Sequence, residues 1–111
     1  EEDRKKLFSI SYQNKHMTCA FRMKDEFAKL LPSAIHIDNT ARPQFVEKED
    51  NENFYKILKE IKSKIGFGVV VNTSFNKHGR TMAYRPKDAV RDFLDSDMHS
   101  IFFENILVTK K

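Results

Sequence analysis

The chain has 111 residues, with 20 Lys+Arg against 16 Asp+Glu and a formal charge of +4. That length suits one compact domain, and 40% apolar residues, with Phe supplying 10, exclude an intrinsically disordered polymer. The only cysteine, Cys19, excludes an intrachain disulfide and a Cys-based zinc site.

Glu1 to Lys6 reads as a charged, frayed lead-in. It has no Met, which is what a piece of a longer chain would show. Leu7 to Tyr12 alternates weakly and fits a short extended segment. From Met17 to Met23 the alternation is clearer: Met17, Cys19, Phe21 and Met23 share one face of a strand, with Thr18, Ala20 and Arg22 on the other. A short helix over Lys24 to Leu31 follows, with Phe27, Leu30 and Leu31 inward, and Pro32 stops it. Ala34 to Ile37 reads as a brief strand, Asp38 to Pro43 as a loop, and Gln44 to Lys48 as extended chain.

Glu49 to Ile65 carries the strongest helical signal. Phe54, Ile57, Leu58, Ile61 and Ile65 form one apolar stripe. Asp50 or Asn51 can cap its start, and Gly66 supplies a left-handed stop. Pro86 opens a further helix, with Ala89, Val90, Phe93 and Leu94 inward and Lys87, Asp88, Arg91 and Asp92 facing water. Ser100 to Phe103 and Ile106 to Val108 read as two last strands around a Glu104-Asn105 turn. The expected fold is therefore α/β: a single domain, residues 1–111, with a mixed twisted sheet and about three helices.

The stretch from Gly66 to Gly79 organises the rest. Val69, Val70 and Val71 predict a strand buried on both faces. Asn72, Thr73, Ser74 and Asn76 follow at its C-terminal end, where open α/β sheets bind ligands. An ordinary turn explains these residue types equally well. A second polar loop, His36-Ile37-Asp38-Asn39-Thr40-Ala41-Arg42, also follows a predicted strand. If the two loops meet at one sheet edge, Arg42 with Thr40, Asn72, Ser74 and Asn76 would suit a phosphate. The blander reading pairs Arg42 with Glu47 or Glu49. His36 and Asp38 are too few for a metal site.

These residues resemble a known family. Ile35 to Gln44 is similar to the His-x-Asp-Gly-Thr-Ala-Arg-x-Gln signature of the O-carbamoyltransferases, which carbamoylate antibiotics and nodulation factors. Asn72-Thr73-Ser74-Phe75-Asn76 matches the family's Asn-Thr-Ser-Phe-Asn, and Pro86-x-Asp88-Ala89 its Pro-x-Asp-Ala. Asn53-Phe54-Tyr55 and the closing Phe-x-Asn-x-Leu-Val also fit. The resemblance runs from about His16 to Val108.

It implies the end of a C-terminal domain resembling the YrdC-like fold, in which ATP as co-substrate and carbamoyl phosphate give carbamoyl-adenylate. An actin-like N-terminal domain, outside this chain, would hold any metal and transfer the carbamoyl group to a hydroxyl. By this resemblance Arg42 is the catalytic group, stabilising charge as the adenylate forms, and Thr40, Arg42, Asn72, Ser74 and Asn76 bind substrate or nucleotide. Asp38 would shape its loop.

There are departures. Asn39 replaces the family's Gly but tolerates a left-handed turn. Gly79-Arg80-Thr81 replaces Gly-Glu-Pro. A Lys-x-Arg element that completes the phosphate site is missing, so these 111 residues alone are expected to be inactive. The expected setting is cytoplasmic, with no membrane and no nucleic-acid partner. The alternatives are a basic α/β module that binds RNA through sheet aromatics and Lys, or a docking or capping domain without a ligand.

Overall fold

Of the charged lead-in, Glu1 lies outside the described residues and the rest is helical, not frayed: α1 spans Glu2–Leu7. The structure, a computed structural model, describes residues 2–111. Two anchors explain α1. Asp3 ion-pairs with Lys62 at 2.8 Å and accepts from the Gly68 N–H at 3.1 Å, while Leu7 and Phe8 are buried. Burial pushes the Asp3 carboxyl up, but the Lys62 ammonium and the Gly68 amide outweigh it and hold it below its usual range.

The chain forms two compact units, Glu1–Val71 and Asn72–Lys111. In the first, β1 (Phe21–Arg22) pairs antiparallel with β2 (Thr40–Ala41), Phe21 opposite Ala41 and Arg22 opposite Thr40. A single bridge joins Phe8 to Met23. Of the strand expected over Met17 to Met23 only Phe21–Arg22 is formed, and Met17 takes φ 55°, but the alternation in burial holds. Phe21 and Met23 are buried, Met17 and Cys19 half-buried, and Thr18, Ala20 and Arg22 exposed.

After β1, α2 (Asp25–Ala28) is shorter than predicted. Phe27 and Leu31 pack against the core, but Leu30 points to solvent. The brief strand expected at Ala34 to Ile37 is absent. Pro32–Ala34 is a 3₁₀ turn, and the His36 N–H donates to the Thr40 carbonyl at 2.7 Å, which closes a turn where a strand would run straight.

Leu7, Phe8, Phe21, Met23, Ala28 and Ala41 make the core of this unit. Its aromatic rings meet mostly edge to face: Phe8 lies 6.1 Å from Phe21 and 5.8 Å from Phe45, and Tyr12 lies 4.9 Å from Phe21. Buried Asn14 ties the loops around them. Its amide donates to the Cys19 and Pro43 carbonyls, and its oxygen accepts from the Thr18 N–H and hydroxyl.

Helix α3 (Glu52–Ile65) forms as its pattern requires. The Asn51 side chain accepts from the Phe54 N–H at 3.0 Å, and Gly66, at φ 87°, ends it. Its apolar stripe is only partly covered: Leu58 and Ile61 are half-buried, while Phe54, Ile57 and Ile65 are exposed. The buried strand predicted at Val69 to Val71 is not formed. Val69 packs against the core, but Val70 and Val71 are 43% and 62% exposed. A strand needs a neighbour to pair with. Among the described residues the backbone of Val69, Val70 and Val71 makes no hydrogen bond.

In the second unit, α4 spans Pro86–Leu94, and Asp88 accepts from the Arg85 N–H at its start. Phe93 is buried, but Val90 and Leu94 of the predicted inward stripe are exposed. The expectation that Asp92 faces water is also overturned: it is 0% exposed. Its oxygens accept from Arg80 Nη1 at 2.6 Å, the Lys77 N–H at 3.1 Å and Arg91 Nε at 3.3 Å. Strands β3 (Ser100–Phe103) and β4 (Ile106–Thr109) form the predicted antiparallel hairpin, with Ile101 opposite Val108. Lys110 lies 4.9 Å over the Phe93 ring and donates to the Ser96 carbonyl, fastening the hairpin to α4.

The structure thus has the expected α/β class, with four α-helices and two small antiparallel strand pairs among the described residues. No helix among the described residues is long and apolar enough to cross a membrane.

Asp92→Ala should lower Tm by roughly 10 °C or more, since it leaves Arg80 and the Lys77 amide without their acceptor. The Arg80 guanidinium, with the Lys77 N–H, holds the Asp92 carboxyl below its ordinary value, and Arg80 does the same to Asp95. A carboxyl whose folded pKa is depressed adds stability above its unfolded pKa of about 4 and loses it as pH falls further. Thermal scans should therefore show Tm falling below about pH 4, with a smaller acid loss in Asp92→Asn. An identical acid profile in that variant would count against the assignment.

Candidate functional site

The first loop is a self-supporting turn in the first unit. Asp38 Oδ1 accepts from the Thr40 hydroxyl at 2.7 Å and the Thr40 N–H at 3.0 Å. This is an Asx turn. These two bonds, the hydroxyl first, hold the Asp38 carboxyl below its usual range. Thr40 Oγ1 also lies 3.0 Å from His36 Nδ1. Between them Asn39 takes φ 61°, the left-handed conformation expected for the family's Gly. Its carbonyl accepts from the Met23 N–H at 2.9 Å, which fastens the turn to the β1 strand end.

Arg42 leaves this turn immediately after β2. It is exposed, and among the described residues no acceptor holds its guanidinium. The pairing with Glu47 or Glu49 considered from sequence is not made. Lys15 reaches Glu47 at 3.7 Å and Asp50 at 2.7 Å instead. An arginine on a braced turn with its planar fork unoccupied can take an oxyanion from solvent.

The second loop belongs to the second unit. Ser74 is exposed, and its hydroxyl donates to Asn76 Oδ1 at 2.6 Å. The Asn76 amide turns inward and donates to the Arg80 carbonyl at 2.9 Å and the Lys77 carbonyl at 3.2 Å. Phe75 is half-buried, and its carbonyl accepts from the Ala83 N–H at 2.9 Å, which ties the loop to the chain that leaves it. Asn72 is exposed on the approach. Of the five residues named from sequence, Arg42, Ser74 and Asn72 are open to solvent. Thr40 and Asn76 spend their polar atoms on the loops that carry the others.

The support beneath the second loop was missed from sequence. Arg80 bridges Asp92 and Asp95, each at 2.6 Å, and Asp92 also takes the Lys77 amide. The available signal was the departure already noted at Gly79-Arg80-Thr81, where the resemblance leads one to expect Gly-Glu-Pro. A reversed charge after a polar loop invites a search for its counter-ion, and Asp92 lies on the next helix in the sequence. Among the described residues no group of three or more His, Cys, Asp or Glu is gathered to hold a metal ion.

The carbamoyltransferase C-terminus family matches residues 1–110. The chain belongs to that family. An uncharacterized protein of Methanocaldococcus jannaschii is 56% identical over 111 residues, all of this chain and 18% of that protein. The nodulation protein NolO of Bradyrhizobium diazoefficiens is 26% identical over 114 residues, all of this chain and 21% of that protein. The 3'-hydroxymethylcephem-O-carbamoyltransferase of Streptomyces clavuligerus is 31% identical over 90 residues, 81% of this chain and 17% of that enzyme. The chain thus spans about a fifth of the length of these curated relatives. As a carbamoyltransferase C-terminus it carries both polar loops, one in each unit.

Because Arg42 has no partner among the described residues, Arg42→Ala should change unfolding stability of this chain by no more than about 0.5 kcal/mol. Asp38→Ala should destabilise measurably more than Arg42→Ala, through loss of the Asx turn. Denaturant titration of the two variants checks both. An Arg42 variant as unstable as the Asp38 variant would make Arg42 a structural residue.

Proposed function

We propose that this chain is the C-terminal part of an ATP-dependent O-carbamoyltransferase. It contributes to the site where ATP, carbamoyl phosphate and water give carbamoyl-adenylate, pyrophosphate and phosphate; the carbamoyl group then passes to a hydroxyl acceptor and AMP leaves. The observation that carries this reading is the unoccupied guanidinium of Arg42, held on the Asp38–Thr40 turn in a member of the carbamoyltransferase C-terminus family.

In this reading Arg42 takes the anionic oxygens of carbamoyl phosphate with two charge-assisted bonds and stabilises the charge that builds as the adenylate forms. Ser74 donates its hydroxyl to a phosphate oxygen of the nucleotide, exchanging its bond to Asn76 for one to the ligand. Asn72 is a further donor. Thr40 and Asn76 position: each fixes the loop from which the ligand-facing residue projects. The protein's contribution is placement and electrostatics, as in phosphoryl transfer generally. Any metal, the acceptor hydroxyl and the transfer step belong to an actin-like N-terminal domain beyond these residues, and the setting is the cytoplasm.

The RNA-binding alternative fits the sheets poorly. Strands β3 and β4 carry no Lys or Arg, and Phe102 is the one strongly exposed aromatic between them.

The test is carbamoyl-phosphate-dependent ATP–pyrophosphate exchange by the full-length protein. Arg42→Ala should lower the exchange rate by about 100-fold or more, the size of effect seen when one oxyanion-stabilising donor is removed. Ser74→Ala should lower it less. Undiminished exchange in Arg42→Ala removes that residue from the site.

A further inference from the structure

Residues 68–71 have the character of one strand of a sheet without its neighbours. Val69, Val70 and Val71 are the β-branched type that fits a pleated, packed surface. Yet among the described residues their peptide groups make no hydrogen bond, and Val70 and Val71 are exposed. Unpaired peptide groups beside apolar side chains are the features by which a sheet edge recruits another strand.

The segment is held ready for pairing. Its first residue is fixed on two sides: the Gly68 N–H donates to Asp3 Oδ2 at 3.1 Å, and a Cβ added at Gly68 would stand 2.7 Å from the Leu58 carbonyl oxygen of α3. Val69 is seated against the core. On α3, Ile57 and Ile65 are left uncovered as well.

We infer that Gly68–Val71 is paired in the longer protein by an extended segment of the same polypeptide, lying outside these 111 residues and adding as a β-strand. Size argues for that occupant. The chain spans only 17–21% of its relatives' length, so a tethered partner is available at high effective concentration. A second copy pairing through four residues would bury far less than the ~1,200 Å² of a stable complex. The inference is independent of the proposed chemistry, because it is read by backbone exchange and not by turnover.

The test is hydrogen–deuterium exchange on the full-length product of the parent reading frame. The amides of Val69, Val70 and Val71 should exchange orders of magnitude more slowly than an open loop, and equally so at all protein concentrations. Val70→Pro removes a donor that a central strand needs and should lower Tm and free the segment, whereas Val70→Ile should leave both unchanged. If Val70→Pro does not fold, the wild-type exchange rates decide. Exchange at open-loop rates would overturn the inference. So would protection that disappears on dilution, which would assign the edge to a second copy.

Discussion

A carboxylate closed off from water carries the second unit. Asp92 accepts from a guanidinium, a backbone amide and a second arginine at once, so the charge that burial penalises is met on every side. The same device recurs through the molecule. Asp38 holds the Thr40 turn, Asn14 the loops around the aromatic core, Asn51 the start of α3 and Asn76 the turn before Arg80. The described strands are only two to four residues long. With so little ladder to satisfy peptide groups, short Asx side chains do it instead, since backbone donors and acceptors away from water must be paired.

This economy shapes the candidate site. A side chain committed to its own loop is a poor ligand donor but a good support. Thr40 and Asn76 are supports by that criterion, and so is Ser74 while its hydroxyl stays on Asn76; among the described residues only Arg42 of these four is uncommitted. The distinction follows from counting donors and acceptors on each side chain, not from residue type.

Local chemistry was legible in the sequence where it decides structure by itself. The cap at Asn51, the left-handed stop at Gly66, Pro86 at the start of α4 and the left-handed Asn39 all follow from properties of single residues, and all are present. The β3–β4 hairpin was readable because its partner is its neighbour. What depends on distant partners was not legible. The helix at Glu2–Leu7 exists because Asp3 finds Lys62 and Gly68, some 60 residues on. Asp92 reads as a surface residue by helical periodicity and is buried because Arg80 meets it. The valine run reads as a covered strand, and what it lacks is a cover among these residues. For the site, the loop-shaping role of Asp38 came with the family resemblance, while the inward turn of the Asn76 amide was not legible.

The close passage of Gly68 against the α3 backbone sets a limit on how the gene can drift in length. Between the left-handed Gly66 and Gly68, which lies against the carbonyl of Leu58, there is one residue, Phe67. Inserting or deleting a codon there would move Val69 out of its place against the core and turn each later side chain to the opposite face, because the side-chain period of extended chain is two. Length variation in this region should therefore be rejected far more strictly than substitution at Val70 or Val71. A frame-preserving insertion scan would mark this short connection as the least permissive joint in the unit.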